Sequence, residues 1–326
     1  MLFCTAFSLA SPAGPRSALS ILIFHRVLPG PDPLFPDEVD AVRFERLLRW
    51  LGDWFNVLPL AEAVARLQQG NLPVRAAAIT FDDGYADNHD VALPILQRQG
   101  LSATFFIAVG FLDGGRMFND TVIETVRRCE QSMLDLSPLG LGRHEIGSLE
   151  DKRQAIPALL NQIKYQPFAQ RVETIEALAE IAGVRLPSDL MMTRQQVQAL
   201  HKAGMGIGAH TVHHPILARL EPEEAEREIA NSRDDLQALL GESVALFAYP
   251  NGKPGADYRP EHVAMARRLG FQAAVSTAWG VARNESDLFQ LPRFTPWGRS
   301  RGRFGFGLLR NYGRAPVRDE QHINGC

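Results

Sequence analysis

The chain has 326 residues, of which 45% are hydrophobic and 22% charged, with a formal net charge of -3. It is long enough to bury a large core, and α/β barrels of about 250 residues commonly form one domain. The charge balance lacks the basic excess that a nucleic-acid binder gathers on one face. Cys4, Cys129 and Cys326 are odd in number and scattered, which suggests neither a disulfide framework nor a C-x-x-C metal site. No segment reaches the ~18 consecutive apolar residues of a membrane span.

Residues 1–10 are apolar, but they carry no positively charged region and are barely as long as a secretory core segment. Residues 1–17 are read as a short apolar leader, able to pack or to touch a membrane surface, on a cytoplasmic chain; export is the alternative. The first strong strand signal is Leu19–Phe24, and His25 and Arg26 stand at its end. A helix follows with Phe44, Leu47, Leu48, Leu51 and Trp54 at helical spacing, an apolar stripe that belongs to a core. After residues 56–60 and a helix through Arg66 comes the apolar run Ala76–Phe81, which fits a strand buried on both faces.

Polar residues begin abruptly beyond that run, with Asp82 and Asp83 before the turn-forming Gly84. Strand side chains alternate, but this strand is ending, so the two carboxylates can reach one centre in two roles: one binding a metal, the other handling a proton. An isolated Asp-Asp-Gly is otherwise a surface turn that caps the next helix.

A helix ending at Gly100 and a strand at 103–109 come next. Strand signals then stop from 117 to 200, where amphipathic stretches at 157–164 and Phe168–Ala182 indicate a helical insertion above the carboxyl ends of the strands. Gly206–Ala209 reads as a strand of small residues, and His210 and His214 follow at the i, i+4 separation of one helical turn. Pro215 keeps that turn brief, and His213 points away from its neighbours. Paired carboxylates and paired imidazoles form a ligand set that a borderline-soft divalent metal such as zinc accepts with a position left open.

The helix Pro222–Leu240 starts with Pro and acidic residues, as helix starts do. Strands at 244–248, 272–276 and 289–294 complete the pattern. Alternation of this kind predicts an α/β fold: a distorted (β/α) barrel of about seven parallel strands over residues 18–298. The Gly- and Arg-rich stretch 299–326 is read as a flexible, solvated basic tail, whose charge would suit an anionic membrane face or a phosphate-bearing substrate.

Thr80-Phe81-Asp82-Asp83-Gly84-Tyr85 and His210-Thr211-Val212-His213-His214-Pro215 together resemble the first two motifs of the polysaccharide deacetylase family, the NodB-homology group of carbohydrate esterases. The second motif of that family is H-(S/T)-x-x-H-P. The resemblance covers residues 20–295 with the motifs in order. It implies that Asp82 is the catalytic base, that Asp83, His210 and His214 hold one divalent metal (zinc first, with nickel or cobalt as alternatives), and that the substrate is an N-acetylated saccharide, lipid-linked or free. His25-Arg26 is similar to a segment near the start of the poly-N-acetylglucosamine deacetylase subgroup.

The departures concern the later motifs. The family carries R-x-P-Y where this chain has Ala248-Tyr249-Pro250-Asn251, so the motif arginine falls on Ala248. The oxyanion-hole tyrosine falls on Asn251, whose backbone N–H survives the change. Arg293 lies on a late strand and either orients Asp82 or is a surface arginine. The family's final L-x-H, which supplies a general acid, has no counterpart. In a closed barrel the first and last strands are neighbours, which makes His25 either the replacement acid or a buried histidine bonded to backbone.

The reading is a metal-dependent hydrolase that removes N-acetyl groups from amino-sugar saccharides in cell-envelope or exopolysaccharide synthesis. A same-fold hydrolase of another small or cyclic amide, and a non-catalytic saccharide-binding relative, are the alternatives.

Overall fold

The computed structural model describes residues 2–314. Seven strands form one parallel sheet: β1 (Leu19–Phe24), β2 (Asn56–Val57), β3 (Ala76–Phe81), β4 (Thr104–Ile107), β7 (Gly206–Ala209), β8 (Leu246–Ala248) and β9 (Ala273–Val275). The order is β1-β3-β4-β7-β8-β9, with β2 beside the start of β3. In β1 and β3 alternate residues face opposite layers. Leu19, Ile21, Ala76 and Ala78 join Phe106, Leu246, Ala248 and Leu291 in an inner core. Leu22, Phe24, Ala77, Ile79 and Phe81 face the covering helices. Those helices include α2 (Ala41–Trp54), α4 (Leu93–Gln99), α8 (Arg194–Lys202), α9 (Pro222–Leu240) and α10 (Pro260–Arg268), with α3 (Leu60–Gln68) against the inner core at one end.

The inner layer explains the small residues of β7. A Cβ on Gly208 would lie 2.5 Å from the Phe106 ring, so that ring occupies the lumen where β7 would otherwise place a side chain.

The predicted strand at 289–294 takes another form. Residues Leu288–Gln290 make a single 3-10 turn, and the chain beyond bridges β9 at Leu291 and β1 at Phe294. Pro292 lacks an N–H and so cannot continue a ladder, but Leu291 and Phe294 bond on opposite sides: Leu291 N–H to Ala274 O at 2.9 Å and Phe294 N–H to Ile21 O at 2.8 Å. The last segment therefore links the two ends of the curled sheet.

The insertion is not wholly helical. Between α5 (Phe118–Arg128) and the helices α6 (Leu149–Ile163) and α7 (Phe168–Ala182) lies a hairpin of β5 (Met133–Leu136) and β6 (Gly142–Glu145). Its apolar signal is only Leu134 and Leu136, too short to register as a strand. Helix α6 starts well before Pro157, because Ser148 and Asp151 form a capping box and the proline is accommodated inside the helix.

Both chain ends pack. α1 (Leu2–Ala10) buries Phe7 against Phe55, with ring centroids 4.5 Å apart. The stretch expected to be a solvated tail forms α11 (Arg301–Tyr312), which buries Phe304, Leu308 and Tyr312. Its glycines let α1 approach: a Cβ on Gly305 would lie 2.5 Å from the Phe3 ring. The remainder of that predicted tail, 315–326, lies outside the described residues. Among the described residues no helix is long and apolar enough to cross a membrane.

Candidate active site

Alternation along β3 sends Thr80 and then Asp82 toward the inner side. There Asp82, 2% exposed, meets Arg293, 1% exposed, in a bidentate pair: Nη1 to Oδ1 at 2.6 Å and Nη2 to Oδ2 at 2.7 Å. Arg293 is fixed in turn, its Nε donating to Ser276 O at 2.9 Å and Nη1 reaching Thr80 Oγ1 at 3.3 Å. The surface alternative for Arg293 is thereby removed. Burial alone would raise the Asp82 carboxyl, but the Arg293 guanidinium and the nearby His210 outweigh it and hold the group below the usual carboxylate range.

Asp83 does not follow the alternation. Its φ of 80° is left-handed, which an Asp tolerates better than most residues. That kink aims its carboxylate at two imidazoles: His210 Nε2 and His214 Nε2 each lie 3.4 Å from Asp83 Oδ1. His214 (φ 51°) and Thr211 (φ 63°) are also left-handed, the second a genuine outlier for a β-branched residue. Among the described residues, four of the six non-glycine positions with positive φ, Asp83, Thr211, His214 and Asn251, fall around this one place. Clustered backbone strain marks functional sites.

The donor set fits a metal. Asp83 Oδ1 is buried and has no hydrogen-bond donor, and one ligand atom from each of Asp83, His210 and His214 lies within 4.8 Å of the others. His210 Nδ1 is 2.8 Å from the carbonyl of Ala248, to which it donates; its Nε2 lone pair is then left facing Asp83, as in metal-ligating histidines. Burial pulls the His214 imidazole down to about 4, so at neutral pH it is neutral and keeps a lone pair for ligation. Glu228 of α9 braces the loop, accepting the N–H groups of Val212 at 2.9 Å and His213 at 2.8 Å and pairing with His213 Nδ1 at 2.7 Å.

His25 is exposed, not buried, and its ring lines a cavity of about 410 Å³ that Asp83 also lines. A second cavity, of about 450 Å³, touches His214 and is walled by Phe111, Phe118, Phe168 and Arg171. Asn251 stands beyond β8 with φ 57°, its carbonyl accepting from Thr277 Oγ1 at 2.8 Å. No hydrogen bond or ion pair joins it to the carboxylate–imidazole cluster among the described residues.

Two features had no sequence signal. Asp87 accepts the Val27 N–H at 3.0 Å and Arg26 Nε at 2.8 Å, tying the His25 turn to the segment after β3. Asp120 of α5 pairs with Tyr85. Both partners of each pair are distant in the chain, so no local pattern could join them.

A parallel sheet curled around an inner core, with a carboxylate–imidazole triad at the carboxyl ends of its strands, defines an α/β half-barrel of the NodB kind. The family model for polysaccharide deacetylase matches residues 69–136 and 157–274, and the chain belongs to that family. A Bacillus subtilis (strain 168) protein, YxkH, named for the same family, is 23% identical over 277 residues, which is 84% of this chain and 70% of that protein. The fold is similar to that of the deacetylase PplD of Streptococcus pyogenes, solved in complex with acetate (TM-score 0.60, 20% identity, 91% of this chain and 99% of that one). It is also similar to IcaB from Ammonifex degensii (TM-score 0.59, 18% identity, 92% and 98%).

Proposed function

We propose that this polysaccharide deacetylase is a metal-dependent N-deacetylase of amino-sugar saccharides, acting in cell-envelope or exopolysaccharide synthesis. The observation that carries the metal is the buried, donorless Asp83 Oδ1 facing two imidazole Nε2 atoms. When bound, a divalent ion such as zinc supplies Lewis acidity toward the acetamido carbonyl and the attacking water. Asp83, His210 and His214 hold it. Asp82, kept ionised and oriented by Arg293, accepts the proton of the attacking water. The backbone N–H of Asn251 donates to the oxyanion as the carbonyl becomes tetrahedral. His25, on the wall of the cavity that reaches Asp83, delivers a proton to the departing nitrogen, leaving acetate and a free amino sugar.

The non-catalytic alternative draws on the loss of arginine at position 248 and of the final L-x-H. A guanidinium already sits on Asp82, which removes the first of these two grounds. A cytoplasmic, membrane-peripheral location belongs to the same proposal, with the saccharide either lipid-linked or free. Fractionation that finds the protein outside the cell would overturn that location.

The test is acetate release from a panel of N-acetylhexosamine oligosaccharides by the zinc-loaded protein. Release only from non-saccharide amides would move the assignment to another small-amide hydrolase. Asp82→Asn should keep the metal and lose 10²- to 10⁴-fold in turnover, on the order expected for a general base. His210→Ala and His214→Ala should lose metal and activity together. Full metal occupancy by elemental analysis in either histidine variant refutes the ligand assignment.

A further inference from the structure

Asp120 lies in the first turn of α5 and is 3% exposed. Its Oδ1 accepts a hydrogen bond from the Tyr85 hydroxyl at 3.1 Å. Its Oδ2 is buried and makes no hydrogen bond of normal geometry among the described residues, the Met117 N–H adding only a small pull on the carboxyl. Leaving a buried acceptor unanswered costs roughly 1–3 kcal/mol, more for a charged one, so such atoms in native structures have a reason. The nearest cation does not supply one: Arg26 bonds Asp87 at 2.8 Å and stacks 4.7 Å over the Tyr85 ring. Asp120, Tyr85, Asp83 and His25 all line the same cavity of about 410 Å³. A ligand whose acetamido group reaches Asp83 from that cavity therefore has Asp120 in the wall beside it.

The chemistry of the carboxyl narrows what that ligand offers. Burial, against the pull of Arg26, lifts the Asp120 carboxyl to about 7 in the metal-free protein. A carboxyl that can keep or lose its proton is best answered by a partner that donates in one state and accepts in the other. A hydroxyl does both; an ammonium or an amide N–H only donates.

We propose that Asp120 Oδ2 binds a hydroxyl of the acetylated amino sugar, holding the ring so that its acetamido group faces Asp82 and Asp83. The proposal deepens the deacetylase reading and rests on it. It assigns to the insertion, through α5, a part in recognising the sugar that is cleaved.

The test compares Asp120→Ala and Asp120→Asn on an N-acetylglucosamine oligosaccharide, with zinc content and thermal melting measured alongside. Asp120→Ala should raise KM about tenfold or more, the loss of one buried hydrogen bond, with kcat within about threefold and zinc unchanged. Asp120→Asn, which can still exchange a hydrogen bond with a hydroxyl, should recover most of the affinity. Tyr85→Phe, which removes the partner of Oδ1 and leaves Oδ2 in place, should change KM less than Asp120→Ala. An unchanged KM in Asp120→Ala overturns the proposal, and so does a fall in kcat alone with loss of the alkaline limb of the pH profile, which would make Asp120 the proton donor. If the wild type binds the oligosaccharide by calorimetry but releases no acetate, the deacetylase reading fails; weaker binding by Asp120→Ala would then still support the sugar contact, and equal binding would sink it.

Discussion

Asp82 receives its guanidinium from Arg293, at the far end of the barrel sequence, and not from the position that the family pattern uses. The pair is buried and bidentate, so a lysine would keep the charge but lose the fork. If Asp82 acts as the proposed base, Arg293→Lys is expected to keep the metal and fold while turnover falls about 10²-fold, from misplacement of that carboxylate. Arg293→Met should also destabilise the protein by about 3–5 kcal/mol, the cost of stranding a buried charge. A variant at this position with unchanged kcat would show that Asp82 does not depend on it. Asp120 offers a second check. Its folded carboxyl titrates at about 7, above its ordinary value of 3.8. Between those values the folded state binds the extra proton, so its contribution to stability is present below about pH 4 and is lost as pH rises toward 7. In metal-free protein, Asp120→Asn should therefore gain on the wild type across that window, by up to about 4 kcal/mol, and then level off. Parallel stability curves for the two proteins from pH 4 to 8 would contradict the raised carboxyl.

Strand β7 illustrates how an element is chosen by its neighbours. Glycines lower strand propensity, yet the sheet needs them here because Phe106 fills the space that a Gly208 side chain would occupy. Gly208→Ala should cost about 1–3 kcal/mol by overpacking, and pairing it with Phe106→Leu should recover part of that loss. Additive losses in the double variant, measured by denaturant unfolding, would mean that the two do not share the lumen. The loop beyond β7 carries the strain of Thr211 and His214, and the Val212 and His213 N–H bonds to Glu228 help to hold it, with the Gly110 N–H bond to Val212 O and the His214 N–H bond to Thr211 Oγ1.

Across the whole molecule, α1 and α11 lie together over α2, and their aromatic residues form one cluster. Phe7 contacts Trp54, Phe55 and Tyr312, and Trp54 contacts Phe304. Truncation after Ser300 exposes that cluster and should lower thermal stability by several kcal/mol, in line with loss of three buried side chains, Phe304, Leu308 and Tyr312. A truncated protein that melts with the wild type would show that α11 is dispensable to the barrel.

What the chain declares locally is whatever a run of neighbours can encode. The apolar runs of β1, β3 and β4, the small residues of β7, the paired carboxylates after β3 and the i, i+4 histidines after β7 all lie within a few positions of one another. Fold class and metal-ligand candidates were therefore legible from the sequence. The hairpin at β5 and β6 escaped because two buried leucines are too weak a pattern, and α11 escaped because glycine and arginine suggest solvent until Phe3 and Phe7 are seen to need a surface. The partners of Asp82, Asp87 and Asp120 depend on chain closure. Arg293 reaches Asp82 because the segment 291–294 bridges β9 and β1, and Tyr85 reaches Asp120 because the insertion folds back over the end of β3. Contacts between residues far apart in sequence leave no periodic trace, so only the tertiary structure could decide which arginine pairs with Asp82 and which carboxylate faces the cavity beside Asp83.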